Sequence, residues 1–186
     1  MKYYINDDIE HFDWQAALPL LSEQRREQCL KFKHELGRKT CAAAYLLLCE
    51  ALRQEYGITE RPVFEYGEHG KPAIVGHTDI HFNLSHCKEA AICVVGPEPV
   101  GVDVESVHRY SESLARYTMN DEELAQILQA ENPAVVFTTL WTRKEAAVKR
   151  SGHGISNDMK HVLKDLPFEI ETTVCEEKNY VYSITR

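Results

Sequence analysis

The stretch Trp141-Thr142-Arg143-Lys144-Glu145-Ala146-Ala147-Val148-Lys149 reads as one helix. Trp141, Glu145 and Lys149 fall at i, i+4 and i+8, so at 3.6 residues per turn an indole, a carboxylate and an ammonium share one side. Alone, this is an ordinary surface helix with a Glu-to-Lys pair, worth a few tenths of a kcal/mol. A second stretch, Gly101-Val102-Asp103-Val104-Glu105, alternates apolar and acidic residues. As a strand it puts Asp103 and Glu105 on one face and the valines on the other. Neighbouring carboxylates repel, and such a pair calls for a proton or a cation. Mg²⁺ suits them: it takes a few carboxylate oxygens, keeps some waters and completes its octahedron with phosphate. Glu145 would add a third acid and Lys149 a positive charge for the phosphate.

These two stretches, in this order and at this separation, resemble the signature motifs of the Sfp-type 4′-phosphopantetheinyl transferases, which move phosphopantetheine from coenzyme A to a serine of a carrier protein. Either motif alone would be a weak signal. The resemblance implies an α+β, pseudo-twofold 4′-phosphopantetheinyl transferase-like fold: one domain over residues 1–186, divided near 98/99 into two similar halves. Each half would hold a small antiparallel sheet and a main helix, with coenzyme A in the cleft between them. It further implies Mg²⁺ on Asp103, Glu105 and Glu145, with Lys149 on the same phosphates. Glu145 would be metal ligand, general base toward the carrier serine, or both. Trp141 is read as a packing residue.

Other segments acquire roles through the same resemblance. Arg25, Arg26, Lys31 and Lys33 lie on a helix that by composition alone is a solvated face, yet the region looks like the part that holds the 3′-phosphate, with Arg25 in place of a lysine and Gln28 where a second basic residue is expected. Arg38, Lys39 and Thr40 resemble the segment next to the nucleotide, at a helix start able to face phosphate; Arg38 and Thr40 are carried over. Gly70, Lys71 and Pro72, in isolation a turn with an exposed lysine, match a loop that lines the coenzyme A site. Ser85 and His86 suggest a nucleophilic dyad, but neighbours in a strand point to opposite faces. The family instead puts both on the nucleotide phosphates. Residues 108–119 resemble the segment that contacts the carrier.

Local patterns outline the elements. Residues 2–5 form a strand. Ser22 caps a helix over 23–33. The longest pattern, 35–56, is apolar nearly all round and therefore a buried central helix closed by Gly57. Strands follow at 63–66, 81–86, 90–95 and 100–105, the last two expected as a hairpin with apolar faces together. Residues 108–119 read as a loop or irregular helix. Asn120 and Glu123 form a capping pair for a helix through Ala130, and Pro133 restarts the chain into the helix of Trp141, ended by Gly152 and Gly154. Residues 168–174 and 180–184 form a closing antiparallel hairpin.

The 186 residues, 44% hydrophobic, suit one globular domain with its own core. No apolar run approaches a membrane span and the N-terminus has no signal-like stretch. Six cysteines without a Cys-x-x-Cys pair read as buried thiols in a reducing compartment, so the expected location is cytoplasmic. His77, His81 and His86 lack the companion ligands of a zinc site. The net charge of −8 argues against nucleic acid. It also means that an acidic carrier would dock through a local patch rather than net attraction. The expected partners are coenzyme A and an apo acyl or peptidyl carrier protein, with no membrane, and the chain is expected to be monomeric. Two other classes compete: a metal-dependent phosphodiesterase or nuclease, and a non-enzymatic interaction module. In such nucleases the glutamate and lysine typically stand two apart on a strand, not four apart on a helix.

Overall fold

The two long helices anticipated from periodicity each cover one three-stranded sheet. In the computed structural model, which describes residues 1–67, 69–108, 110–152, 154 and 159–186, the first half contains β1 (Lys2–Asn6), α1 (Trp14–Ala17), α2 (Glu23–Lys31), α3 (Glu35–Tyr56), β2 (Phe64–Tyr66), β3 (Pro72–Ile74), β4 (His81–His86) and β5 (Ala91–Gly96). The second contains β6 (Val102–Ser106), α4 (Glu112–Thr118), α5 (Asp121–Gln129), α6 (Pro133–Ser151), β7 (Ile170–Cys175) and β8 (Tyr180–Thr185). The sheets run β1-β5-β4 and β6-β8-β7, with β2-β3 as a separate ribbon, and every pair is antiparallel. Glu68 in the Gly67–Pro72 loop and Arg109 in the proposed carrier segment lie outside the described residues.

β5 is buried along its whole length because both its faces are covered. Cys93 and Val95 join Ala42, Tyr45, Leu48 and Leu52 of α3, while Ile92 and Val94 meet Val102 and Val104 of β6 with Tyr180 and Ile184 of β8. The apolar faces of β5 and β6 do meet, but the expected hairpin between them does not form. Both edges of β5 are taken, by β1 and β4, and β6 pairs with β8. The free edge of β6 lies beside β4, bridged by side chains in place of a backbone ladder. Val102 N donates to Asn83 Oδ1 (3.1 Å) and Val104 N to Ser85 Oγ (3.2 Å).

The valines of β6 turn inward, so the alternation turns Asp103 and Glu105 toward α6. The helix comes close because Gly101 has no side chain. A Cβ there would lie 2.0 Å from Ala146 O and 2.6 Å from Arg150 N. Residues 112–118, anticipated as loop or irregular helix, form the regular helix α4, capped by the Ser111 side chain. Its pattern is weak because so few of its residues, Ala115 and Thr118, are buried. The capping box at Asn120 and Glu123 is formed, and Gly57 and Gly152 close their helices in the left-handed conformation. All six cysteines are free, and burial pushes the Cys41 and Cys49 thiols up to about 11. Among the described residues no helix is long and apolar enough to cross a membrane.

Candidate active site at the junction of the halves

Where β4 meets β6, α6 lays one side chain across both. Lys149 Nζ donates to Asp103 Oδ1 (2.6 Å) and to Ser85 Oγ (3.0 Å), and Ser85 Oγ itself donates to Asp103 Oδ1 (2.9 Å). Ser85 thus ties the strands together and presents a hydroxyl to the ammonium. Asp103 is 3% exposed, and its Oδ2 is buried with no hydrogen-bond partner among the described residues. A buried carboxylate oxygen without a partner is costly, so a cation is the expected complement.

Lys149 and Glu145 line a cavity of about 320 Å³ together with Gly70, Lys71, Pro72 and Asn83. The helical spacing read from sequence therefore delivers Glu145 and Lys149 to one opening, as expected. Trp141 packs on Phe137 (ring centroids 6.2 Å apart, stacked), which agrees with a packing role. Glu105 is half-buried one strand turn beyond Asp103 and borders a smaller space of about 100 Å³ beside Trp141 and Phe137. Among the described residues no three His, Cys, Asp or Glu side chains already form a metal cage. The donor set still fits Mg²⁺, which needs only one or two carboxylates beside water and phosphate, and the orphaned Oδ2 supplies the first.

The remaining expected ligands spread from this point toward α2 and the start of α3. His86 reaches the surface, yet the protein packed around its ring, followed by the charges of Lys149 and Arg25, holds its pKa below the ordinary histidine value. Lys149 of the second half and Arg25 of the first thus both act on this one ring. Arg25 is fixed by donation to the Cys41 carbonyl (Nε 3.3 Å, Nη2 3.2 Å) and to Gln28 Oε1 (2.9 Å). Its guanidinium lies 5.9 Å from the ring centres of Tyr45 and Phe64. Arg38 stacks 4.9 Å above Trp14 and donates to Phe32 O (3.0 Å). Thr40 is buried, and its hydroxyl lies 3.0 Å from Leu36 O within its own helix. Lys39 is engaged by Glu10 O and Glu35. Ser85, Asp103 and Lys149 are therefore in direct contact, Glu145 and Gly70–Pro72 surround their opening, and Arg38 and Thr40 contact Phe32, Trp14 and Leu36 instead.

Sequence reasoning passed over six supporting residues. Lys144, one residue before Glu145, is fully buried and donates to Glu123 Oε2 (2.7 Å) and Met159 O (2.6 Å). Thr142, Ser183 and Thr172 join through hydroxyl contacts of 2.8 Å each, pinning α6 to the second sheet. Asn83 and Gly101 act through long-range contacts, and nothing local marks them.

The profile of the 4′-phosphopantetheinyl transferase superfamily matches residues 99–183, which contain Asp103, Glu105, Glu145 and Lys149. A 4′-phosphopantetheinyl transferase of Bacillus subtilis is 31% identical over 178 residues, covering 88% of this chain and 79% of that protein. The 4′-phosphopantetheinyl transferase AcpT of Salmonella typhi is 33% identical over 145 residues, 75% of this chain and 71% of its own. The 4′-phosphopantetheinyl transferase Sfp of Bacillus subtilis (strain 168) is 26% identical over 156 residues, 82% and 70%.

Proposed function

The chain belongs to the 4′-phosphopantetheinyl transferase superfamily and is a 4′-phosphopantetheinyl transferase, and on that premise we propose that it takes the group from coenzyme A, with Mg²⁺, onto a serine of an apo acyl or peptidyl carrier protein and releases 3′,5′-ADP. The observation that carries the reading is the contact of Lys149 with Asp103 and Ser85 beside the unsatisfied Asp103 Oδ2.

Asp103, Glu105 and Glu145 would hold the metal. When bound, Mg²⁺ neutralises charge that shifts onto the leaving 3′,5′-ADP. Lys149 offers its ammonium to the pyrophosphate, with Ser85 Oγ as a neighbouring donor once its bond to Asp103 is exchanged. His86 would meet the nucleotide phosphates and Arg25 the 3′-phosphate, with Arg38 and Thr40, in the first turns of α3, offered to the nucleotide. Gly70, Lys71 and Pro72 wall the opening. Glu145 takes the proton from the carrier serine, directly or through water, as the serine oxygen attacks phosphorus and the pyrophosphate bond breaks. A phosphodiesterase would typically need its glutamate and lysine two apart on a strand, whereas Glu145 and Lys149 stand four apart on α6.

The test is intact mass spectrometry of an apo carrier incubated with the protein, coenzyme A and Mg²⁺. The expected result is a gain of one phosphopantetheine that Asp103→Ala loses. No gain with acyl or peptidyl carriers, and no coenzyme A binding by calorimetry, would sink the proposal.

A further inference from the structure

The ammonium of Lys71 is placed in a way that a ligand-lining role does not explain. It sits in the loop between β2 and β3, turned by Gly70 at φ +77°, and reaches from the first half into the second. Nζ donates to Arg150 O (2.9 Å) and to Val100 O (3.4 Å). The Arg150 carbonyl is among the last four of α6, which lack an N–H partner within the helix, and a cation there also meets the negative end of the helix dipole. Gly152 leaves room for the stem, since a Cβ on it would stand 3.1 Å from Lys71 Cδ. Both acceptors are neutral. Burial, and then the charge of Arg150, lowers the Lys71 pKa.

The two carbonyls mark the backbone segments that carry the site. Val100 precedes Gly101, on which α6 rests, and Asp103 follows shortly in β6. Arg150 follows Lys149 directly. We infer that Lys71 is the positioning residue for Lys149: its ammonium clasps the end of α6 to the start of β6, so that the Lys149 side chain is aimed at Asp103 and Ser85. This rests on the reading that Lys149 meets the pyrophosphate of coenzyme A. Two of the three protons of the Lys71 ammonium are engaged by carbonyls, which leaves little for a phosphate.

A double-mutant cycle separates the clasp from a direct phosphate ligand. With the wild-type protein, apo carrier, coenzyme A and Mg²⁺, Lys71→Met is expected to lower kcat/KM for coenzyme A about tenfold, and Lys71→Arg, which keeps cationic donors, to recover most of it. In a Lys149→Met background, adding Lys71→Met is expected to cost less than about twofold, because its effect passes through Lys149. Full additivity would overturn the inference. Lysine acylation footprinting of the wild type needs neither folding of a variant nor activity: Lys71 should be protected equally with and without coenzyme A, while Lys149 gains protection on its addition. A Lys71 that labels freely until coenzyme A is added is a ligand and not a clasp. If the wild type transfers nothing, the functional reading fails, and the footprint still decides where the Lys71 ammonium lies.

Discussion

Two lysines on α6, Lys144 and Lys149, each hold a carboxylate, and the difference between the pairs separates a structural ion pair from a working one. The Lys144–Glu123 pair joins α6 to α5 with side chains 0% and 9% exposed. Its further bonds are internal too: Lys144 also donates to Met159 O, and Glu123 Oε2 also accepts from Asn120 N (2.9 Å) in the capping box. The Lys149–Asp103 pair is lopsided. Its lysine is 28% exposed over a cavity, while its aspartate is 4% exposed and keeps one oxygen without a partner. Desolvating charge is offset in the first pair by a second hydrogen bond on each partner. In the second pair the bonding is left incomplete on the side where a cation and a phosphate would arrive.

The sharpest way to break this contrast is Lys144→Met. It leaves Glu123 buried and unpaired, so it should cost about 3–5 kcal/mol of stability in urea unfolding. Lys149→Met should cost less in the same assay, about 1–2 kcal/mol, because its ammonium is 28% exposed and the buried Asp103 still accepts from Ser85 Oγ. Equal losses would erase the distinction. Next in size is Asp103→Ala, expected to lower phosphopantetheine transfer at least about 100-fold, roughly 2.7 kcal/mol, while leaving the unfolding midpoint nearly unchanged. Gly101→Ala should cost about 2 kcal/mol and reduce transfer as well, because a methyl group driven into Ala146 O moves α6 off β6.

The smallest effect concerns the surrounding charge. His86 has its pKa lowered by burial, then by Lys149 and Arg25. A bound phosphate would raise it again, so binding takes up a proton and affinity grows as pH falls through the pKa of the complex, levelling off below that of the free protein. Calorimetry should find coenzyme A bound about 5-fold tighter at pH 6 than at pH 8, beyond what His86→Ala shows. The ionisation of the ligand itself is common to both proteins. A profile that His86→Ala does not alter would remove His86 from the site.

Much of this was legible beforehand, for reasons that can be named. The Ser22 cap, the Asn120–Glu123 box, the closing Gly57 and Gly152, and the two long helices are local patterns, and they appear where expected. The 100–105 alternation correctly separated the acids from the valines. The hairpin between β5 and β6 was misjudged because adjacency in sequence said nothing of β1, which arrives from the other end of the half to occupy an edge of β5. The carrier-contacting stretch hid a helix because α4 buries so little of itself. Lys144 and Lys71 carry no local sign of their tasks, since a buried lysine and an exposed one look alike until their partners are known.

The sequence by itself therefore determined the two long helices, most of the strands, the faces on which Asp103, Glu105, Glu145 and Lys149 stand, and through the paired motifs the family. Those are consequences of backbone periodicity and capping, which act over a few residues. Only the tertiary structure decided that β4 and β6 meet through Asn83 and Ser85, that Gly101 admits α6, that Lys71 reaches the end of that helix, and that Asp103 keeps an oxygen open. Each of these depends on groups far apart in the chain coming within hydrogen-bonding or van der Waals distance. Such short-range forces are specified only once the two halves have closed on one another.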